Sequence, residues 1–175
     1  MKRLEKLSSQ KVCVGVPAED AERDSSDVSN ADLVYIHTHG VRPLAERTEM
    51  QVNINKGVKY SAAMQMYIRE HGSFAYQVPP RPIIEPAIEN SKEPIGKLLG
   101  SAAKQAADDG DTTADLKDVG TYASGKVKAW FTDAKNGWAP NAPPTIKRKG
   151  SDQPLIDTGA LRDSITFVVR GEDDD

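Results

Sequence analysis

The stretch 138–170 constrains the fold of this chain most, because a long proline-rich connection leads there into a β-type run. The connection begins at Trp138, contains three prolines before residue 145, and turns at Asp157, Thr158 and Gly159. Residues 164–169 then alternate, with Ile165 and Phe167 on one side, which predicts a strand. We therefore expect a long loop over 138–161, which Trp138 holds against a core and a strand closes.

A second alternating run lies near the other end of the chain, at 11–16, where Val12, Val14 and Val16 share one face. Either run alone is too short to form a stable sheet. We therefore predict that 11–16 and 164–169 lie in one small antiparallel sheet, which joins the two ends of the domain. The polar, acidic residues that follow Pro17 have no periodicity, so a loop is expected up to residue 29.

Two long helices are predicted between these strands. Apolar residues follow helical spacing over 82–107, where Pro86 suits a first turn and Pro94 predicts a kink or break near 92–93. The second helix, 113–135, has Thr112 or Thr113 as its cap, with Asp115 near a capping-box position, and stops at 136–137. The predicted fold class is α+β, a small antiparallel sheet packed against two long helices, with long loops.

A shorter helix is predicted after residue 29. Asn30 is its expected N-cap, Asp32 lies in its first turn, and Gly40 suits its end. A strand is the competing interpretation, because residues 34–36 are β-branched and aromatic. We prefer the helix because a capping residue marks each end.

Composition limits the classes of protein to consider. With 175 residues, one domain spanning 1–175 is the default. The net charge of −3 argues against a general nucleic-acid binder, although a basic cluster lies at 147–149 and an acidic one at 172–175. Cys13 has no cysteine partner, and its apolar surroundings indicate a buried, inert thiol. Membrane-span and signal-peptide patterns are lacking, so we expect a protein made in a reducing cytoplasm.

Two groups of residues could suggest a metal site. His37 and His39 would share one face of a strand, but further ligands at diagnostic spacing are lacking. The aspartates of 108–115 resemble a calcium loop. If Asp109 is its first residue, however, Gly120 stands at the twelfth position, where that loop needs a carboxylate. We predict no metal and no cofactor.

The tripeptide at 157–159 matches the Asp-Thr-Gly of aspartic proteases. That chemistry requires two carboxylates that share a proton, and this chain has one copy of the motif. A turn, in which Gly159 supplies a positive φ, is the preferred interpretation. Because phosphate-binding glycine loops and nucleophile elbows are also lacking, we predict that the chain is not an enzyme. An unrecognised hydrolase is the alternative.

Two motifs also carry a family resemblance. Pro154-Leu-Ile-Asp-Thr-Gly-Ala-Leu-Arg162, followed by Ser164-Ile165, is similar to the C-terminal signature of tail-completion (neck) proteins of long-tailed bacteriophages, and 138–146 resembles its usual forerunner. Residues 78–88, with Arg81 between prolines, resemble a second motif of that family. In the family, Asn-Ala and a short helix usually run soon into this motif. Here 35–40 is echoed at 67–72, so 41–65 is interpreted as an insertion.

The resemblance implies a structural protein of the virion neck, made in the host cytoplasm, that joins tail to head as a homo-oligomeric ring, most simply a hexamer, around the DNA channel. Its partners would be connector, other neck and tail-tube or terminator proteins, with non-specific contact to channel DNA and no membrane. The alternatives are a tail terminator that caps the tail tube, and an assembly chaperone or nucleic-acid-binding factor absent from the virion. The interface candidates are Arg81, Trp138, Ile146, Lys147, Arg148, Lys149, Asp157 and Arg162.

Overall fold

The structure is a computed structural model that describes residues 7–17, 28–40, 79–108 and 111–171. The predicted insertion at 41–65, the echo at 67–72 and most of the loop before residue 29 lie outside these residues. In chain order the elements are β1 (Lys11–Gly15), α1 (Asn30–His39), α2 (Ile84–Glu89), α3 (Lys92–Ala107), α4 (Thr113–Trp130), a 3-10 turn (Ala134–Asn136), α5 (Pro143–Lys149), α6 (Ala160–Asp163) and β2 (Thr166–Arg170).

The fold class is α+β, as predicted. Strands β1 and β2 form a two-stranded antiparallel sheet in the described part of the chain, with Lys11 opposite Arg170 and Gly15 opposite Thr166. The predicted pairing of the two terminal runs is therefore confirmed. Strand β2 begins later than the alternating run at 164–169, because the Ser164 hydroxyl donates to the Leu161 carbonyl and caps α6.

The interpretation of Cys13 as a buried thiol is wrong, since this residue is exposed. Successive residues of a strand point to opposite faces. Cys13 therefore points away from Val12 and Val14, which line an apolar cleft between the sheet and the helices. The alternating pattern predicted the strand correctly, but our interpretation placed the Cys13 thiol on the buried face, whereas it lies on the exposed face.

Helix α1 confirms the preference for a helix over a strand. Its N-cap is Ser29 and not Asn30, because the Ser29 hydroxyl accepts the Asp32 N–H at 3.0 Å while the Asp32 carboxylate accepts the Ser29 N–H at 3.2 Å. This reciprocal pair is a capping box. Gly40 ends the helix with φ +74°, a conformation that favours glycine.

The predicted long helix over 82–107 is divided into α2 and α3. The break lies at Asn90 and Ser91, slightly before the predicted position. Pro94 explains the position, because its nitrogen cannot donate to the Asn90 carbonyl and its ring would collide with that carbonyl in a continuous helix. Within α3, Pro94 lies in the first turn, where a missing N–H costs nothing.

Helix α4 begins as predicted but ends at Trp130, earlier than residue 135. Thr112 is its N-cap residue, one of the two predicted, but the Thr112 side chain makes no capping bond. Asp111, and not Asp115, supplies the acceptor, since its Oδ1 accepts the Thr113 N–H at 3.1 Å and the Thr113 hydroxyl at 2.8 Å. Just after the helix, the Asp133 carboxylate accepts the Lys135 N–H at 2.9 Å. This bond replaces the backbone hydrogen bond that a continued helix would make, and the chain forms the 3-10 turn instead.

The core lies between α4, the sheet and the connection that follows α4. Helical spacing predicts an apolar stripe on α4 of six residues, and five of them are buried: Leu116, Val119, Ala123, Val127 and Trp130. The sixth, Ala134, is exposed, because the helix ends before it and it lies in the 3-10 turn. Ile83, Phe131 and Ile165 are fully buried beside it. Gly120 lets α4 approach β2 closely, because a Cβ added there would lie 2.1 Å from Cδ2 of Phe167.

Candidate functional site

The connection after α4 is fixed to the core at its first residue. The Trp138 ring meets Phe131 edge to face, with centroids 5.7 Å apart and planes at 85°. Its Nε1–H also donates to the Pro82 carbonyl at 3.1 Å. The prediction that Trp138 holds the connection against the core is therefore confirmed. Trp138 is not the only apolar anchor, however, because Leu155 and Ile156 also pack against the core.

Arg81 fastens the next two residues of the connection. Its Nε and Nη2 donate to the Ala139 carbonyl at 3.2 and 2.9 Å, and Nη2 also reaches the Pro140 carbonyl at 3.2 Å. The side chain is 5% exposed, and burial lowers the pKa of its guanidinium, which stays charged at any ordinary pH. Arg81 therefore holds residues 139 and 140 of the connection in place.

The prediction of a continuous loop over 138–161 is wrong for Pro143–Lys149, which forms helix α5. Two prolines occupy its first turn, where their fixed φ suits a helix and their missing N–H groups are not needed. The basic cluster forms its last turn, a position that the helix dipole favours for cations, and Gly150 ends it at φ +70°. The cluster is therefore held on a short helix.

The cluster's side chains differ in their surroundings. Lys147 and Arg148 are exposed, whereas Lys149 is half-buried and its Nζ donates to the Gln153 carbonyl at 2.7 Å. Ile146 is half-buried on the same helix. Arg148 makes no hydrogen bond or ion pair with any residue that the structure describes. Its charge is therefore available to a partner.

The turn before α6 has the predicted backbone. Gly159 has φ +89°, and the Ala160 N–H donates to Thr158 Oγ1 at 3.3 Å, so the hydroxyl, and not Asp157, supplies this acceptor. Asp157 is exposed. Arg162 is half-exposed and pairs with its neighbour Asp163, Nε to Oδ1 at 3.1 Å.

A cleft of about 660 Å³ lies between α1, α5 and the turn before α6. It brings together four of the predicted residues, namely Arg81, Arg148, Lys149 and Asp157. Trp138, Ile146, Lys147 and Arg162 are not among its lining residues. Among the lining residues that the structure describes, three of the four charged side chains are positive, so their field favours an anionic group.

His37 also lines this cleft, a role that its sequence did not indicate. Burial, with the nearby Arg81 charge as a second cause, lowers the pKa of His37 to about 4. The imidazole is therefore neutral at neutral pH, and its buried Nδ1 has no hydrogen-bond partner among the residues that the structure describes. The His37 carbonyl accepts the Arg81 N–H at 2.6 Å, which ties α1 to the segment below the connection.

A second cleft, about 490 Å³, is apolar and lies between β1 and helices α2, α3 and α4. Leu99, at 42% exposure, stands in its wall. In the described ranges the structure groups no three potential metal ligands, and none of the helices there could cross a membrane. Comparisons of the chain with protein-family models, curated proteins and solved structures gave no match.

Proposed function

We propose that this chain is a structural protein of the virion neck of a long-tailed bacteriophage. It completes the tail and joins it to the head as a homo-oligomeric ring, most simply a hexamer, around the DNA channel. Its partners in this role are the connector and the tail-tube or terminator proteins. It reaches the particle from the host cytoplasm, where assembly takes place.

One observation carries the proposal. The two motifs of the resemblance are far apart in the sequence, yet they form one hydrogen-bonded unit, because Arg81 holds the carbonyl of Ala139, 58 residues later. Trp138 completes the unit through its bond to the Pro82 carbonyl. Hydrogen bonds between segments so far apart in the sequence give the surface that they build a fixed shape, as an assembly interface needs.

The same contacts support a binding role over catalysis. Nε and Nη2 of Arg81 donate to backbone carbonyls, and the His37 imidazole is neutral and buried. Both residues line the cleft, where their visible roles are structural. The exposed charges at its rim, on Arg148 and Asp157, suit contact with another protein surface.

A nucleic-acid-binding factor that is absent from the virion is the second candidate. The exposed cations Lys147 and Arg148 favour it, because phosphate contacts come from such side chains. The cluster is small, so the expected affinity is weak and falls steeply with salt. Within the ring, the same cluster supplies non-specific contact with channel DNA. A tail terminator is a variant of the structural role and differs only in its position on the tail.

Presence in the particle separates these candidates. Purified particles of the phage that encodes the chain are analysed by quantitative mass spectrometry, with the major tail-tube protein as internal standard. The structural role predicts a fixed copy number that survives a high-salt wash. A chain found only in the lysate, or one that the salt wash strips from the particle, would contradict it and favour the chaperone or nucleic-acid-binding role.

A further inference from the structure

The charge of the cleft is not balanced within the described part of the chain. Arg81 and Lys149 donate to neutral carbonyls, and Arg148 has no partner there. Asp157 is the one carboxylate among the lining residues. In a chain whose net charge is −3, such a concentration of cations indicates a site for an anionic partner.

We propose that this cleft binds the acidic segment 172–175 of a second copy of the chain, an assignment that rests on the ring proposed above. The segment supplies four successive carboxylates, those of Glu172, Asp173, Asp174 and Asp175. Guanidinium groups such as that of Arg148 bind carboxylates with two parallel hydrogen bonds. Thr145 and Thr158 line the same cleft, and threonine hydroxyls can donate to carboxylates.

The choice of a second copy rests on the proposed ring, in which identical chains are neighbours. The acidic segment follows β2 and residue 171, and residues 171–175 span at most about 18 Å when fully extended.

A contact between the cleft of one copy and the acidic segment of the next joins two different surfaces. Repetition of such a head-to-tail contact closes into a ring when its rotation allows closure. The contact is small and electrostatic, so a single copy of it is weak and sensitive to salt. Ring closure on the particle strengthens it, because each copy is then held by two neighbours.

The test uses a full-length variant in which amides replace the four carboxylates of the acidic segment (Glu172→Gln, Asp173→Asn, Asp174→Asn and Asp175→Asn). The protein's own segment then does not compete with an added peptide. A fluorescent peptide with the sequence of residues 168–175 is titrated into it at low salt, and the anisotropy is recorded. Arg148→Gln is the site variant, and Lys117→Gln, which removes an exposed cation from α4 outside the cleft, is the matched control. Circular dichroism checks that each variant is folded.

The proposal predicts saturable binding that Arg148→Gln weakens by about tenfold, the effect of one charge-assisted hydrogen bond, while Lys117→Gln leaves it unchanged. Arg148→Glu should lose the native peptide and bind a peptide with lysines at 172–175. Equal losses in both glutamine variants, absence of binding, or a cleft that takes duplex DNA and not the peptide would each overturn it. The particle analysis above is independent of these outcomes, so failure of this site and failure of the neck assignment are distinguishable.

Discussion

Gly120→Ala tests the packing of α4 on β2. The added Cβ would lie 2.1, 2.4 and 2.5 Å from three ring atoms of Phe167. Non-bonded carbon atoms prefer separations of about 3.5–4.0 Å, so the ring or the strand must move by roughly 1.5 Å. Overpacking of this kind costs about 1–3 kcal/mol. Alanine gains about 1 kcal/mol over glycine inside a helix, which offsets part of that cost.

The expected net effect is a loss of up to about 2 kcal/mol in the free energy of unfolding. For a chain of this size, that lowers the melting temperature by up to about 8 °C. Gly125→Ala is the matched control, because it lies in the same helix, is exposed, and has no atom within 4 Å of the added Cβ. It should raise stability by up to about 1 kcal/mol.

The assay is equilibrium denaturation with urea, followed by circular dichroism, for both single variants and for Gly120→Ala combined with Phe167→Ala. In the Phe167→Ala background the clash is gone, so Gly120→Ala should become neutral or stabilising, with a coupling energy of about 1–3 kcal/mol. If Gly120→Ala alone is as stable as Gly125→Ala, then α4 does not approach β2 as closely as described and the reasoning is refuted.

The other predictions concern the connection and its support. Arg81→Ala should cost about 3 kcal/mol in unfolding free energy by denaturation, because it removes the charge-assisted hydrogen bonds to the Ala139 and Pro140 carbonyls. Arg162→Ala, which breaks one exposed pair, should cost about 0.5 kcal/mol; equal losses would contradict the supporting role of Arg81. Trp138→Ala should cost about 2–3 kcal/mol by thermal melting and Trp138→Phe about 1 kcal/mol, the value of its hydrogen bond; an unchanged melting temperature in both would show that the ring does not anchor the connection. For His37 the folded pKa of about 4 lies below the ordinary value of 6.5, so between these values the unfolded chain binds more protons. The stability that this group contributes is therefore complete above pH 6.5 and is lost as the pH falls toward 4, by at most about 3 kcal/mol. When the free energy of unfolding is measured across that pH range, His37→Gln should lack this loss.

Several features could be predicted because one physical requirement dominated them. The two short alternating runs needed each other to form a sheet, and 11–16 and 164–169 do pair. The stripe of α4 followed from helical spacing alone. Trp138 packs against Phe131, because a large ring that directly follows the end of a helix has few apolar neighbours within reach.

Other features depend on contacts that local patterns do not encode. Helix α5 is short and begins with two prolines, so its composition favoured a loop. The role of Arg81 depends on carbonyls far along the chain, and the role of Gly120 depends on the position of Phe167. In the sequence, His37 belongs to a histidine pair and lies near the end of a predicted helix. Neither feature indicated that its ring is neutral, buried and part of the wall of a cleft.

The most direct test of the central claim is a density map of the neck and tail of the purified particle. The proposed function predicts a ring of copies of this chain around the DNA channel, with α5 and the turn before α6 at contacts between neighbouring proteins. A map in which every neck and tail density is explained by other proteins would contradict it, and the chaperone or nucleic-acid-binding role would then take its place.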